Sequence, residues 1–462
     1  VQPSSFPSAD FLITNAVGIL TGLSGAAARS NGAIRVTAGK IAEIGALSPR
    51  PGEKIVDASG CVVTPGLINT HHHLFQSVLK AIPEGLNEAL ARWLRLVPYS
   101  YWHKLDEEAM RLAATIGLAE LALSGATTVA DHHYIYSPHY DFEPNEILFE
   151  VAEKFGLRFV LARGGASKGR NFDDGRSIPL PTEPVEQMLK AVEAAARRWH
   201  DPAPDAMRRV VMAPTTPTFS LEEGELKEIA AGARALGLRL HSHLSENMDY
   251  VDYTLGRYGK RPVHWLAEQD WLGPDVWFAH LVECDASEVA LLAETGTGMA
   301  HCPQANARLG SGIAPADALF KAGGAVSLAV DGAAANEAAD MVSALYSAFS
   351  LHRAGKGAQA VAAEEVLSWA TAGGARVLGM EAIGTIEPGK AADLALFDLS
   401  HPRYLGQHDR LVGPVISGGA AFLKASFVAG RPVVEEGRIP WLDREQLTAD
   451  AVRVTARIAA SA

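Results

Sequence analysis

Cysteine is scarce in this chain: Cys61, Cys284 and Cys302 are odd in number and far apart. A disulfide framework is therefore not expected, and a reducing compartment is the simpler setting, with each thiol a small apolar filler. Basic residues are also in short supply, with 41 Lys and Arg against 53 Asp and Glu and a formal net charge of −12. Polyanion binders carry a basic face, so a nucleic-acid partner is not expected and a small neutral molecule suits the chain better. No run of 18 apolar residues occurs. The first ten residues also lack the charged start and long apolar core of a signal peptide. These absences predict a cytoplasmic protein with no membrane partner, and no repeat or low-complexity tract stands out.

What is present describes a globular enzyme-sized chain: 462 residues, 48% apolar and 20% charged. That length exceeds one small core and fits a barrel plus an accessory domain. Residues 10–64 read as short strands broken by glycine, a small β domain. From residue 65 apolar strand-like runs alternate with helical stretches such as Glu107 to Leu123 and Leu221 to Leu236, the pattern of βα units around a parallel sheet. Eight strand ends are predicted: Ile68 to His73, Thr127 to Asp131, Arg158 to Arg163, Arg209 to Ala213, Leu238 to His243, Val276 to His280, Gly298 to His301 and Ala325 to Asp331. Eight such units imply a (β/α)8 TIM barrel. Residues 164–184 lack apolar periodicity and form a long loop, containing Arg170, Asp173, Asp174 and Arg176, that could serve as a lid. Turn-then-strand chemistry returns near Ile386, so a β-sandwich built from both chain ends is expected: 1–64 and 385–440 flanking a barrel at 65–384, with a helical tail at 441–462.

The chemistry starts at Thr64-Pro65-Gly66-Leu67-Ile68-Asn69-Thr70-His71-His72-His73. Residues two apart on a strand share a side, so His71 and His73 project together as half of a first-row metal site, while His72 points away. Strand five ends His241-Ser242-His243-Leu244-Ser245-Glu246. His243 can join the first pair, His241 lies lower in the barrel, and Glu246 is placed to take a proton from water at the metal. The apolar runs before His280 and Asp331 put both at strand ends. A charged Asp there is costly unless paired or metal-bound, so Asp331 reads as the fourth ligand. His280 reads either as a further ligand or, the preferred role, as a hydrogen-bond partner of the reacting oxygen. Gln76 offers both a donor and an acceptor to the edge of a flat heterocycle, and Arg163 could donate to a ring carbonyl or pair with a loop carboxylate. His132 and His133 read as pocket-lining or structural, and His301 and Asn306 as supporting residues.

His-x-His, His-x-x-Glu, a lone His and a terminal Asp at strand ends in that order resemble the amidohydrolase superfamily. Pro65 to His73 is similar to its first metal motif, and Ile386-Glu387-Pro388-Gly389-Lys390-Ala391-Ala392-Asp393 to its returning β-domain motif. The resemblance is to the cytosine and guanine deaminase branch, nearest its isoxanthopterin and 8-oxoguanine deaminases. It implies one divalent metal, zinc with iron as the alternative, on His71, His73, His243 and Asp331. Glu246 and His280 would be the proton-handling pair, and Asp331 would relay a proton to departing ammonia. Two-metal relatives use a carboxylated lysine at the end of strand four, where this chain reads Val210-Val211-Met212-Ala213-Pro214. Guanine deaminases carry Pro-Arg-Phe just beyond, where this chain has Pro214-Thr215-Thr216-Pro217-Thr218-Phe219. Where 8-oxoguanine deaminases have Gln-Ser-Leu-Thr-Arg, it reads Gln76-Ser77-Val78-Leu79-Lys80. The expectation is a homo-oligomeric, metal-dependent deaminase of a pterin or oxopurine, best on isoxanthopterin. The alternatives are 8-oxoguanine or guanine deamination, triazine chloro- or aminohydrolysis, and a non-catalytic barrel.

Overall fold

The structure is a computed structural model that describes residues 10–170, 177–222 and 224–460. Eight parallel strands form one sheet in chain order: Leu67–Asn69, Ala126–His133, Arg158–Arg163, Arg208–Met212, Leu240–Leu244, Val276–His280, Gly298–His301 and Ala325–Leu328. Nearly every residue in them is buried, as a sheet covered on both faces requires. The first and last strands meet through Thr70 N donating to Leu328 O (3.4 Å) and Asp331 N donating to His71 O (3.1 Å), which closes a (β/α)8 barrel. Local chemistry starts and stops its helices. The Asp106 side chain accepts from Ala109 N at the head of Glu107–Leu123, and an Asp285–Glu288 capping box opens Ala286–Thr295, which ends at left-handed Gly296.

Two flanking sheets come from the chain ends. One orders Lys40–Gly45, Ala33–Thr37, Phe11–Thr14 and Ile55–Asp57; the other orders Arg431–Glu435, Leu423–Val428, Leu394–Asp398, Cys61–Pro65, Gly18–Leu20 and Arg29–Ser30. Phe11, Ile34, Val36, Val63, Leu396 and Phe427 form a separate core there, with Cys61 fully buried among them. Strand Cys61–Pro65 pairs with the returning Leu394–Asp398, so the two ends share one sheet. Asp393, last residue of the returning motif, holds that junction to the barrel. Its carboxylate takes Arg158 Nε at 2.6 Å and Nη2 at 3.0 Å, plus Ala429 N at 2.8 Å. Both partners are almost fully buried, and such a pair is tolerable because nearly every polar atom is matched. Gly66 is a close approach at the same place, since a Cβ there would come within 2.2 Å of the Thr127 side chain.

The C-terminal helix Arg444–Ala460 buries Val454 and Ile458 and ties to helix Glu107–Leu123 through Arg453 and Arg457 on Glu108. Among the described residues no helix is long and apolar enough to cross a membrane. The segment after the third strand has neither helix nor strand in its described part up to Val185, and Asp173, Asp174 and Arg176 lie outside the described residues.

Candidate metal centre and active-site pocket

The first barrel strand stops at Asn69, so His71 and His73 are not on a pleated strand as the alternation suggested. The chain turns inward and the second strand clamps it. His132 N donates to His72 O (2.7 Å), the His73 ring to His132 O (2.7 Å), and Leu74 N to Asp131 Oδ1 (2.6 Å). Burial pushes the Asp131 carboxyl up to about 8, with the Leu74 N–H opposing. His72 does point away, with Nδ1 on the Asp331 carbonyl.

Carbonyl partners fix the tautomers, because a carbonyl only accepts. His73 donates from Nδ1 to His132 O, and His243 from Nδ1 to Thr215 O at 2.6 Å. His241 donates from Nδ1 to Trp277 O (3.0 Å), leaving its Nε2 to accept from His71 Nδ1 at 2.8 Å. His71, His73 and His243 therefore all present bare Nε2 lone pairs. His73 Nε2 lies 3.0 Å from His243 Nε2, and Asp331 Oδ1 lies 3.2 Å from His71 Nε2 and 3.3 Å from His73 Nε2. Lone pairs facing one another at that spacing repel unless a cation sits between them. A tetrahedral ion with bonds of about 2.1 Å spaces its ligands by about 3.4 Å, so the donor set fits a divalent metal. Burial, the largest cause, pushes His71 and His73 well below the usual histidine range and His243 to about 3, so all three are in the neutral form that binds metal. His132 and His280 complete overlapping groups, within 4.8 Å, that share His71 and His243. The His132 ring donates from Nε2 to Ala213 O (2.7 Å), which leaves its Nδ1 without a hydrogen-bond partner, and His280 is turned toward Glu246.

Glu246 follows the fifth strand, almost fully buried, with Oε2 3.6 Å from His280 Nε2. Burial raises its carboxyl to about 7, with Asp331 adding and His280 opposing, which is the range a base needs near neutral pH. His280 is oriented by donating from Nδ1 to Asn306 Oδ1 at 2.9 Å. Ser245, His280 and Asp331, each at or just beyond a different strand end, all have positive φ (49°, 75° and 63°). Such backbone costs about 1–3 kcal/mol per residue and persists where the surroundings over-determine it.

His73, His243, Glu246, His280 and Asp331 line a cavity whose empty space, open mouth included, is about 590 Å³. Gln76 lines it too, buried, with no protein partner for Oε1. Its amide rests on Gly332, where a Cβ would fall 2.0 Å from Oε1. Gly332 has φ −65°, so glycine is needed there for space and not for backbone freedom. Gly332→Ala is expected to displace Gln76 and raise KM roughly tenfold while metal content stays at the parent level, as steady-state kinetics beside elemental analysis will show. Arg163, by contrast, is not brought to the pocket. Its Nη2 sits 3.1 Å from Glu183 Oε2, Nη1 donates to Gly164 O (2.8 Å), and the guanidinium lies 4.1 Å over Tyr136. Among the described residues the arginine that lines the cavity is Arg170, which nothing in the local sequence sets apart from Arg176. Tyr134, next to His132-His133, was also unmarked. His133 is structural, donating to Ile135 O (2.9 Å), and His301 pairs with buried His352 (3.2 Å).

A barrel carrying this histidine and aspartate cage at the carboxyl ends of its strands belongs to the amidohydrolase family, whose sequence pattern matches residues 62–433. The protein is a hydrolase acting on C–N bonds. It is 50% identical to an isoxanthopterin deaminase of an unknown prokaryotic organism, across 98% of this chain and 97% of that one. It is 38% identical to the 8-oxoguanine deaminase of Pseudomonas aeruginosa, across 90% and 93%. The atrazine chlorohydrolase of Arthrobacter aurescens, solved in complex with zinc, superposes with a TM-score of 0.88 at 27% identity, across 96% of this chain and 100% of that one.

Proposed function

We propose that this chain is a hydrolytic deaminase of a pterin or oxopurine, with isoxanthopterin its best substrate, using one divalent metal held by His71, His73, His243 and Asp331. The observation that carries this reading is the convergence of three bare Nε2 lone pairs and the Asp331 carboxylate at a cavity wall shared with Glu246. A divalent cation bound there, zinc in preference to iron, supplies the positive charge that lowers the pKa of water from about 16 to about 7. Gln76 holds the ring edge through its unpaired Oε1. Glu246 takes the proton of the attacking water and passes it to the ring nitrogen beside the amine-bearing carbon. His280, held by Asn306, faces the oxygen through Nε2 as charge develops there, and Asp331 relays a proton to ammonia as it leaves. Water and the amine become a ring carbonyl and ammonia, so atoms and charge balance.

The wall just past the fourth strand is made by Thr215, Thr216 and Ser220, with no arginine of the kind guanine deaminases place there. The relative at 50% identity deaminates isoxanthopterin by name. The expected order of kcat/KM is isoxanthopterin, then 8-oxoguanine, then guanine, followed by ammonia release. Guanine in first place would overturn the specificity argument, and 8-oxoguanine in first place only the choice of pterin. Triazines in the same assay separate the remaining alternative.

A further inference from the structure

We propose that Glu337 is a positioning residue: its carboxylate ties together the segments that carry Gln76, Asn306 and Asp331, and so sets where the substrate ring lies. The effect on substrate rests on the deaminase reading; the tie between the segments does not. The short helix Ala333–Asn336 stops at Glu337, whose backbone is left-handed (φ 65°, ψ 0°). Glycine takes that conformation freely and is the usual residue after a helix, whereas a side chain there is strained. Asn336 enforces the turn from both sides, donating from Nδ2 to Val330 O and accepting from Ala338 N at Oδ1 (2.7 Å). The backbone gains nothing from a glutamate at this place, so any compensation for the strain comes from the side chain.

That side chain reaches two other segments. Oε2 accepts from Ala81 N at 2.6 Å, and Oε1 from Arg308 Nη2 at 3.0 Å. Ala81 is left-handed as well (φ 52°) and lies on the segment after the first strand, five residues beyond Gln76. Arg308 ends helix Pro303–Arg308, which carries Asn306 on His280 (2.9 Å), and is followed by Leu309 in the cavity wall. Glu337 itself lies five residues past Gly332, on which Gln76 rests. One carboxylate therefore joins the segments after strands one, seven and eight. The Arg308 and Glu337 side chains are 16% and 31% exposed, so their ion pair adds little to global stability. What it fixes is the spacing between Gln76 and the His280 and Asp331 side of the cavity.

Glu337→Gly removes the carboxylate and relaxes the backbone in one step. On the metal-loaded full chain it should melt close to the parent and keep the parent's metal content. KM for isoxanthopterin should rise about tenfold, as for one lost charge-assisted hydrogen bond, with kcat within about threefold of the parent. Glu337→Gln, which keeps an acceptor for Ala81 N, should restore part of that KM. Arg308→Met should raise KM alone but add little on top of Glu337→Gly, since both act through one tie. Hydrogen exchange of the peptide 74–82, read by mass spectrometry, should be faster in Glu337→Gly, a readout that needs no activity. An unchanged KM would overturn the positioning role, and so would a lower melting temperature with metal and kcat lost together. A parent inactive on pterins and oxopurines would bring down the proposed function and the effect on substrate, while faster exchange in Glu337→Gly would still support the tie.

Discussion

Glu246→Gln is expected to keep its metal and lose at least about a hundredfold in turnover, the lower end for removing a positioned general base. The amide keeps the size of the side chain and its place near His280, but it cannot take a proton. Metal analysis beside single-turnover kinetics separates this loss from a collapse of the site, and activity close to that of the parent would remove Glu246 from the mechanism. The pH profile should move with it. Burial lifts the carboxyl to about 7, and a cation in the neighbouring cage pulls it back down, so parent activity should fall as pH drops through and below 7 while the base takes up its proton. In Glu246→Gln that acid limb should vanish from the residual rate.

The second large effect is on the metal itself. Purified protein should carry about one divalent ion per chain, and His243→Ala should lose most of it together with the activity. Without the ion, the 3.0 Å approach of His73 Nε2 to His243 Nε2 has no proton to share, and Asp331 is a buried carboxylate without its cation. Chelated protein should therefore melt at a lower temperature, and zinc at about a thousand times its dissociation constant should return about 4 kcal/mol of stability. Two ions per chain, or parent metal content in His243→Ala, would overturn the site as drawn.

Much of this architecture can be read from the chain because barrel strands announce themselves as short apolar runs ending in a polar residue. The predicted ends Arg158 to Arg163, Val276 to His280 and Gly298 to His301 coincide with the strands, and the others differ by a few residues. What could not be read is what distant segments do to one another. The strand breaks off at Asn69 because bonds from His132 and Asp331 replace the ladder, and neither residue is near it in sequence. Arg163, the last residue of the third strand, and Arg170, in the loop beyond it, carry the same side chain. Only the fold shows that Glu183 captures the first and that the cavity receives the second. Positive φ at His280 and Asp331 is also invisible to pattern, since an ordinary residue there breaks the local preference that reading a sequence relies on.

The shared sheet of the two chain ends sets a timetable for synthesis. Strand Cys61–Pro65 cannot meet Leu394–Asp398 until the intervening barrel has been translated, roughly 15 to 60 s later at 5–20 residues per second. For that interval Phe11, Ile34, Val36 and Val63 lack the Leu396 and Phe427 side of their core. Nascent chains stalled before Ile386 should thus present a sticky half-sandwich to chaperones, one that the arrival of Asp393 at Arg158 closes and locks to the barrel.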